Sequence, residues 1–140
     1  MYYYLLSISY DGLNFFGFSK QKNNNLRTIE NTLINAFKKI LKNNFFTIRG
    51  LSRTDKQVHA LDQKICFESS IEIKSAKSFQ LTLNKILNPD IVINSFKQIF
   101  NKENFFNYKK KLYCYNLMNI NQKNALNYRY FYFLDFKFSY

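Results

Sequence analysis

The chain has 140 residues, with 21 Lys and Arg against 9 Asp and Glu, for a formal charge of +12. That is one domain by length, and 46% hydrophobic residues supply a core. Two cysteines and one histidine exclude a Cys/His zinc site, and no uninterrupted apolar run approaches the ~18 residues needed to span a bilayer as a helix. The basic balance points to a polyanionic partner, nucleic acid first. An AT-rich genome would give the same Lys, Asn, Ile, Phe and Tyr bias, so charge alone does not decide. Met1-Tyr2-Tyr3-Tyr4 carries neither a basic n-region nor a small-residue cleavage site. No signal peptide is therefore expected, and a reducing cytoplasm is. Cys66 and Cys114 both fall in strand-like runs, which predicts buried free thiols.

The first element, Tyr2–Tyr10, alternates as a strand, with Tyr4, Leu6, Ile8 and Tyr10 on one face. Asp11-Gly12 ends it in a turn. Phe15-Phe16-Gly17-Phe18-Ser19-Lys20-Gln21 reads as an aromatic loop and residues 22–25 as a polar connector. Thr28 is placed to cap a helix whose apolar stripe is Ile29, Leu33, Ala36, Phe37 and Ile40, running to Leu41. Phe45–Gly50 is the second strand and Lys64–Ser69 the third. A second helix is predicted over Lys74–Leu87 and is stopped by Asn88-Pro89-Asp90. Ile91–Phe96, Lys111–Met118 and Tyr128–Phe133 read as further strands. The order predicts an α+β fold over residues 1–140. It is the ferredoxin-like or RRM-like split βαβ, with two helices on one face of an antiparallel sheet. The other face would be free to meet a ligand, as RRM modules meet RNA.

The stretch Ser52-Arg53-Thr54-Asp55-Lys56-Gln57-Val58-His59-Ala60 concentrates chemistry in one loop. A carboxylate held beside an arginine is ionised and oriented, as a nucleophile or base must be. Seen alone, an Arg-x-Asp pair is more often a structural salt bridge. His59 reads as a packing or hydrogen-bonding residue, Asp11 as a turn former, and Asp62 and Glu68 as surface charges.

This stretch resembles the Gly-Arg-Thr-Asp-Ala-Gly-Val-His-Ala signature of the TruA family of tRNA pseudouridine synthases. Four further segments resemble the family in order. Tyr10-Asp11-Gly12 is similar to its opening Tyr-Asp-Gly, and Phe16 to Gln21 to its aromatic-Gly-Trp-Gln-Arg-Gln loop. Arg27-Thr28-Ile29-Glu30 stands at its first helix. Asn84 and Leu87 to Ile91 resemble Asn-x-x-Leu-Pro-x-Asp-Ile, and Lys111 to Tyr115 resembles Lys-x-Tyr-x-Tyr.

The resemblance implies half of a pseudouridine synthase, with Asp55 as the catalytic residue that isomerises uridine in the tRNA anticodon stem-loop. It implies that Arg53 places the flipped nucleotide and that Tyr113 packs on its base. Without the resemblance, Tyr113 reads as core. Lys20, Lys56, Lys109, Lys110 and Lys111 would contact phosphates. No cofactor and no metal are expected, and the cytoplasmic partner is tRNA.

The sequence departs from the family at Ser52, which stands for Gly, and at Lys56-Gln57, which stand for Ala-Gly. If that second Gly uses positive φ, Gln57 is strained. The resemblance covers the family's first half only, which suggests a homodimer in which a second copy completes the cleft. The alternatives are a catalytically decayed or partner-dependent RNA-binding module of the same fold, and an unrelated basic RRM-like module.

Overall fold

The computed structural model describes residues 1–21, 26–101, 103, 105 and 110–135. Two compact units divide the chain, Met1–Tyr108 and Lys109–Tyr140.

In the first unit, β1 (Tyr2–Tyr10), α1 (Ile29–Leu41), β2 (Phe46–Gly50), β3 (Ala60–Ser69), α2 (Ala76–Ile86) and β4 (Ile91–Ile99) follow one another. The strands form one sheet in the order β2-β3-β1-β4, and every neighbouring pair is antiparallel. This is the expected split βαβ. β1 lies centrally because its alternation buries Tyr4, Leu6, Ile8 and Tyr10. Leu6 faces Ile65 on one side and Phe96 on the other. The ladders run further than predicted. β3 begins at Ala60 because Tyr10 pairs with it, and β4 continues to Ile99 because Tyr3 does.

Both helices cover the face defined by Tyr4, Leu6 and Ile8. α1 buries Ile29, Leu33, Ala36, Phe37 and Leu41, and α2 buries Phe79 and Leu83, all within one core. Thr28 caps α1 as expected by accepting from the Asn31 amide, while Ser75 caps α2 by accepting from Ser78. The Ser75 cap is why α2 starts after Lys74 rather than at it.

Phe67 is the hub of the core. Its ring centroid lies 4.7 Å from Phe37, 5.4 Å from Tyr4 and 5.8 Å from Phe96. Side chains of α2 reach the backbone of β4 at Ile93. The Asn84 side chain donates to the Ile93 carbonyl (3.0 Å) and accepts from the Ile93 amide (2.8 Å), and Gln80 donates to the same carbonyl (2.8 Å). These bonds occupy the backbone groups of Ile93, which blunts this part of the edge as a template for stray pairing.

The sheet's outer face is polar in part. Ser7 donates to Asp62 and Ser9 to Asn94, and Lys64 pairs with Asp62 at 2.7 Å. It is not bare, however. Phe105 is buried, with its ring edge-on to Tyr3 at 6.2 Å. Cys66 is buried on this face, as predicted.

The second unit departs from the predicted strands. Among its described residues only Leu117–Asn119 (β5) and Tyr132–Leu134 (β6) form a ladder, and it is parallel. Residues 111–116 form no ladder. Leu112, Tyr113, Cys114 and Tyr115 are all exposed, so neither side of the alternation is buried and no face fixes a register. Cys114 is therefore an exposed thiol and not the buried one expected. Residues 125–130 turn instead of extending, because Asn124 and Asn127 side chains bond nearby backbone amides. No helix among the described residues is long and apolar enough to cross a membrane.

Replacing Phe67 by Ala removes the ring shared by both helices. The expected loss is about 3–5 kcal/mol, measured as the free energy of urea unfolding followed by circular dichroism. A loss under about 1 kcal/mol would show that the core collapses around the gap.

Candidate active site

The loop between β2 and β3 is anchored from below at its start. The Leu51 amide donates to the Lys64 carbonyl (3.0 Å), and the Ser52 carbonyl accepts from Gln63 Nε2 (2.9 Å). Ser52 takes the place of a family glycine without taking a left-handed conformation. Gln63 points into the core beside Tyr10, and both are buried. The Tyr10 hydroxyl lies 2.5 Å from Gln63 Oε1 and 2.7 Å from Thr54 Oγ1. Burial pushes the Tyr10 phenol above its ordinary value of 10.0, opposed by the Thr54 hydrogen bond.

The aromatic loop of residues 15–18 clasps the same segment from the side. The Phe18 amide donates to the Thr54 carbonyl (3.0 Å) and the Gln57 amide to the Phe15 carbonyl (3.2 Å). The clasp depends on glycine. Gly17 has φ 89°, and a Cβ there would stand 2.9 Å from the Thr54 carbonyl oxygen. At Gly12 a Cβ would fall 2.0 Å from the Val58 carbonyl oxygen. The backbones touch, and no other residue fits. Behind the clasp sits α1. Its first amides, Ile29 and Glu30, donate to the Gly17 and Phe18 carbonyls (3.2 and 2.9 Å). The Arg27 guanidinium lies 4.3 Å over the Phe15 ring and pairs with Asp90 at 3.1 Å.

The loop then turns. The Asp55 carbonyl accepts from Val58 at 3.3 Å, and Gln57, third in that turn, has φ 64°. The position at which Gln57 stands for a glycine is therefore left-handed in this chain, at a cost of about 1–2 kcal/mol. Beyond the turn, His59 Nδ1 lies 3.0 Å from Asp11 Oδ1 and 3.2 Å from the Gly12 amide. Asp11 also accepts from the Leu13 amide (3.0 Å). His59 is thus a tether and Asp11 a turn former.

The Asp55 side chain stands on this platform, exposed to solvent. The expected pairing with Arg53 is absent. Both side chains are exposed, and among the described residues neither makes an ion pair or side-chain hydrogen bond. An exposed pair gains only about 0–1 kcal/mol, too little to immobilise an arginine. Lys56 is also exposed, and its ammonium lies 4.6 Å over the half-exposed Phe16 ring. The Lys20 side chain is exposed, and its backbone amide donates to Glu30. Asp55, Arg53, Lys56 and Lys20 belong to the first unit, whereas Tyr113, Lys110 and Lys111 are exposed in the second. Lys109 lies outside the described residues. Among the described residues no cluster of His, Cys, Asp or Glu could hold a metal.

Reading the sequence missed the Thr54–Tyr10–Gln63 network. Its signal was the parity of β3, where Gln63 shares the inward face of Ile65 and Phe67.

A four-stranded antiparallel sheet with two helices on one face, presenting a single carboxylate from a braced inter-strand loop, has the architecture of half a pseudouridine synthase. The chain belongs to the tRNA pseudouridine synthase family, whose sequence model matches residues 6–101. It is 40% identical over 130 residues to a tRNA pseudouridine synthase A of Phytoplasma mali, covering 91% of this chain and 51% of that protein. The protein of the same name in Caldicellulosiruptor bescii is 38% identical over 131 residues, covering 91% and 52%. That of Spiroplasma kunkelii is 35% identical over 130 residues, covering 93% and 48%. The chain spans about half the length of these curated relatives.

Gln57→Gly should relieve the left-handed strain and raise stability by about 0.5–1 kcal/mol, net of glycine's chain entropy, as read from the urea midpoint. A midpoint that falls would mean the Gln57 side chain is itself stabilising. The raised Tyr10 phenol gives a pH signature. A folded pKa above 10.0 means its contribution is full below pH 10 and is lost as pH rises through the folded value. Tyr4, also raised by burial, acts in the same direction. Tyr10→Phe should therefore flatten part of the alkaline fall in unfolding free energy. An identical alkaline limb would contradict this.

Proposed function

We propose that this chain isomerises uridine to pseudouridine in the anticodon stem-loop of tRNA, with Asp55 as nucleophile. One observation carries the reading. In a member of this family, a loop held on three sides ends in an exposed carboxylate that none of the described residues engages. A carboxylate needed for the chain's own stability would be paired. This one is kept available by the platform beneath it. The relatives' name, tRNA pseudouridine synthase A, supplies the substrate class.

The reaction conserves every atom. The bond from C1′ of the ribose to N1 of uracil breaks, the base rotates, and a bond from C1′ to C5 forms. The C5 proton leaves, and N1 ends protonated. No electron is gained or lost overall, so the chemistry calls for no redox cofactor. Asp55 attacks the nucleotide and so holds the detached fragment while the base turns. A base in a stem must first leave its stack. Arg53, exposed in the same loop, contacts the flipped nucleotide, and Tyr113 offers its ring to the base at a typical ~1–3 kcal/mol per stack. Lys20, Lys56, Lys109, Lys110 and Lys111 contact phosphates, in keeping with the charge of +12. The working assembly is a cytoplasmic homodimer on tRNA.

Purified chain incubated with unmodified tRNA should yield pseudouridine in the anticodon arm, mapped by carbodiimide-blocked primer extension. Asp55→Ala should abolish it, while tRNA binding stays within about threefold. Tight, salt-sensitive tRNA binding without product would overturn the enzyme reading and leave an RNA-binding module.

A further inference from the structure

The proton order of the network under the loop is fixed by elimination. The Ser52 carbonyl can only accept, so the amide nitrogen of Gln63 faces it, at 2.9 Å. Gln63 Oε1 therefore faces Tyr10 and can only accept as well, so the Tyr10 proton goes to it. A phenol has one proton. The Thr54 hydroxyl, 2.7 Å from Tyr10, must donate its own. Hydrogen bonds thus run one way from Thr54 to Tyr10 to Gln63, and Gln63 donates onward to Ser52. Tyr10 and Gln63 are buried at 4% and 5% exposure, so each link is costly to break. Thr54 is also held by its backbone, because its carbonyl accepts from Phe18 (3.0 Å). Side chain and main chain together fix the residue immediately before Asp55.

We propose that Thr54, Tyr10 and Gln63 are positioning residues that set the direction in which Asp55 leaves the loop. The inference rests on the reading of Asp55 as nucleophile. It goes further by assigning the aim of the carboxylate to a core tyrosine and glutamine that never meet the substrate. A nucleophile must lie in line with the atom it attacks, and small misplacement costs rate and not affinity.

The test compares Thr54→Val, which removes the hydroxyl at nearly constant shape, with Thr54→Ser, which keeps it, and adds Tyr10→Phe. Single-turnover and steady-state pseudouridine formation on unmodified tRNA should fall roughly ten- to hundredfold in kcat for Thr54→Val and Tyr10→Phe. KM for tRNA should stay within about twofold. Thr54→Ser should restore kcat to within about threefold of the native chain. The double variant Tyr10→Phe/Thr54→Val should be no slower than the slower single, because one relay is cut twice. Native kcat in Thr54→Val, or equal losses in Thr54→Val and Thr54→Ser, would overturn the proposal.

The reading of Asp55 fails separately, through a native chain that forms no product or an active Asp55→Ala. In that event amide hydrogen exchange over residues 52–58 decides on the relay. Faster exchange there in Thr54→Val and Tyr10→Phe, with β1 and β3 still protected, upholds it. Unchanged exchange overturns it.

Discussion

The first unit depends on one close approach. The backbone of the aromatic loop lies directly against the backbone of the loop that carries Asp55. Gly17 makes this possible by lacking a side chain and by adopting φ 89°. From that contact the other features follow. Phe18 reaches Thr54, Phe15 reaches Gln57, and the first amides of α1 take the carbonyls left over on the far side of the clasp. Phe18 also swings beneath β2, where its ring lies against Gly50. The helix start, the strand end and the candidate nucleophile are parts of one hydrogen-bonded assembly.

Much of this was legible in the sequence because it is periodic or local. The alternation of Tyr4, Leu6, Ile8 and Tyr10 defined the central strand. Thr28 and the spacing of Ile29, Leu33 and Phe37 defined α1. Asn84 resembled a family position before its role was visible, and the structure gives the reason. Its amide serves both backbone groups of Ile93, and a shorter or charged side chain cannot do so. Gln57 was flagged by the glycine it replaces, and the left-handed turn bears this out.

What was not legible is tertiary. A strand exists only when a partner fixes its register, and nothing between Lys111 and Tyr115 states whether one is there. Those residues form no ladder, and the alternation around Tyr113 buries neither face. The Arg53–Asp55 pair looked sufficient on paper because proximity in sequence suggested proximity of charges. In water two exposed side chains gain too little from each other to stay together. Gln63 escaped notice because a glutamine in a strand is usually solvated, although it shares the inward parity of Ile65 and Phe67.

The bracing also decides how the molecule comes apart. Amides and carbonyls of the Asp55 loop are bonded to partners in the first strand's following loop, in the third strand and in the core. These segments are distant in sequence, so the loop's conformation is acquired only when they have already met. A surface loop of ordinary construction frays at little cost and opens many times for each global unfolding event. This one must break bonds to several distant segments in order to open. Its opening free energy should approach that of the whole unit, and a protease would find it only in molecules that have unfolded.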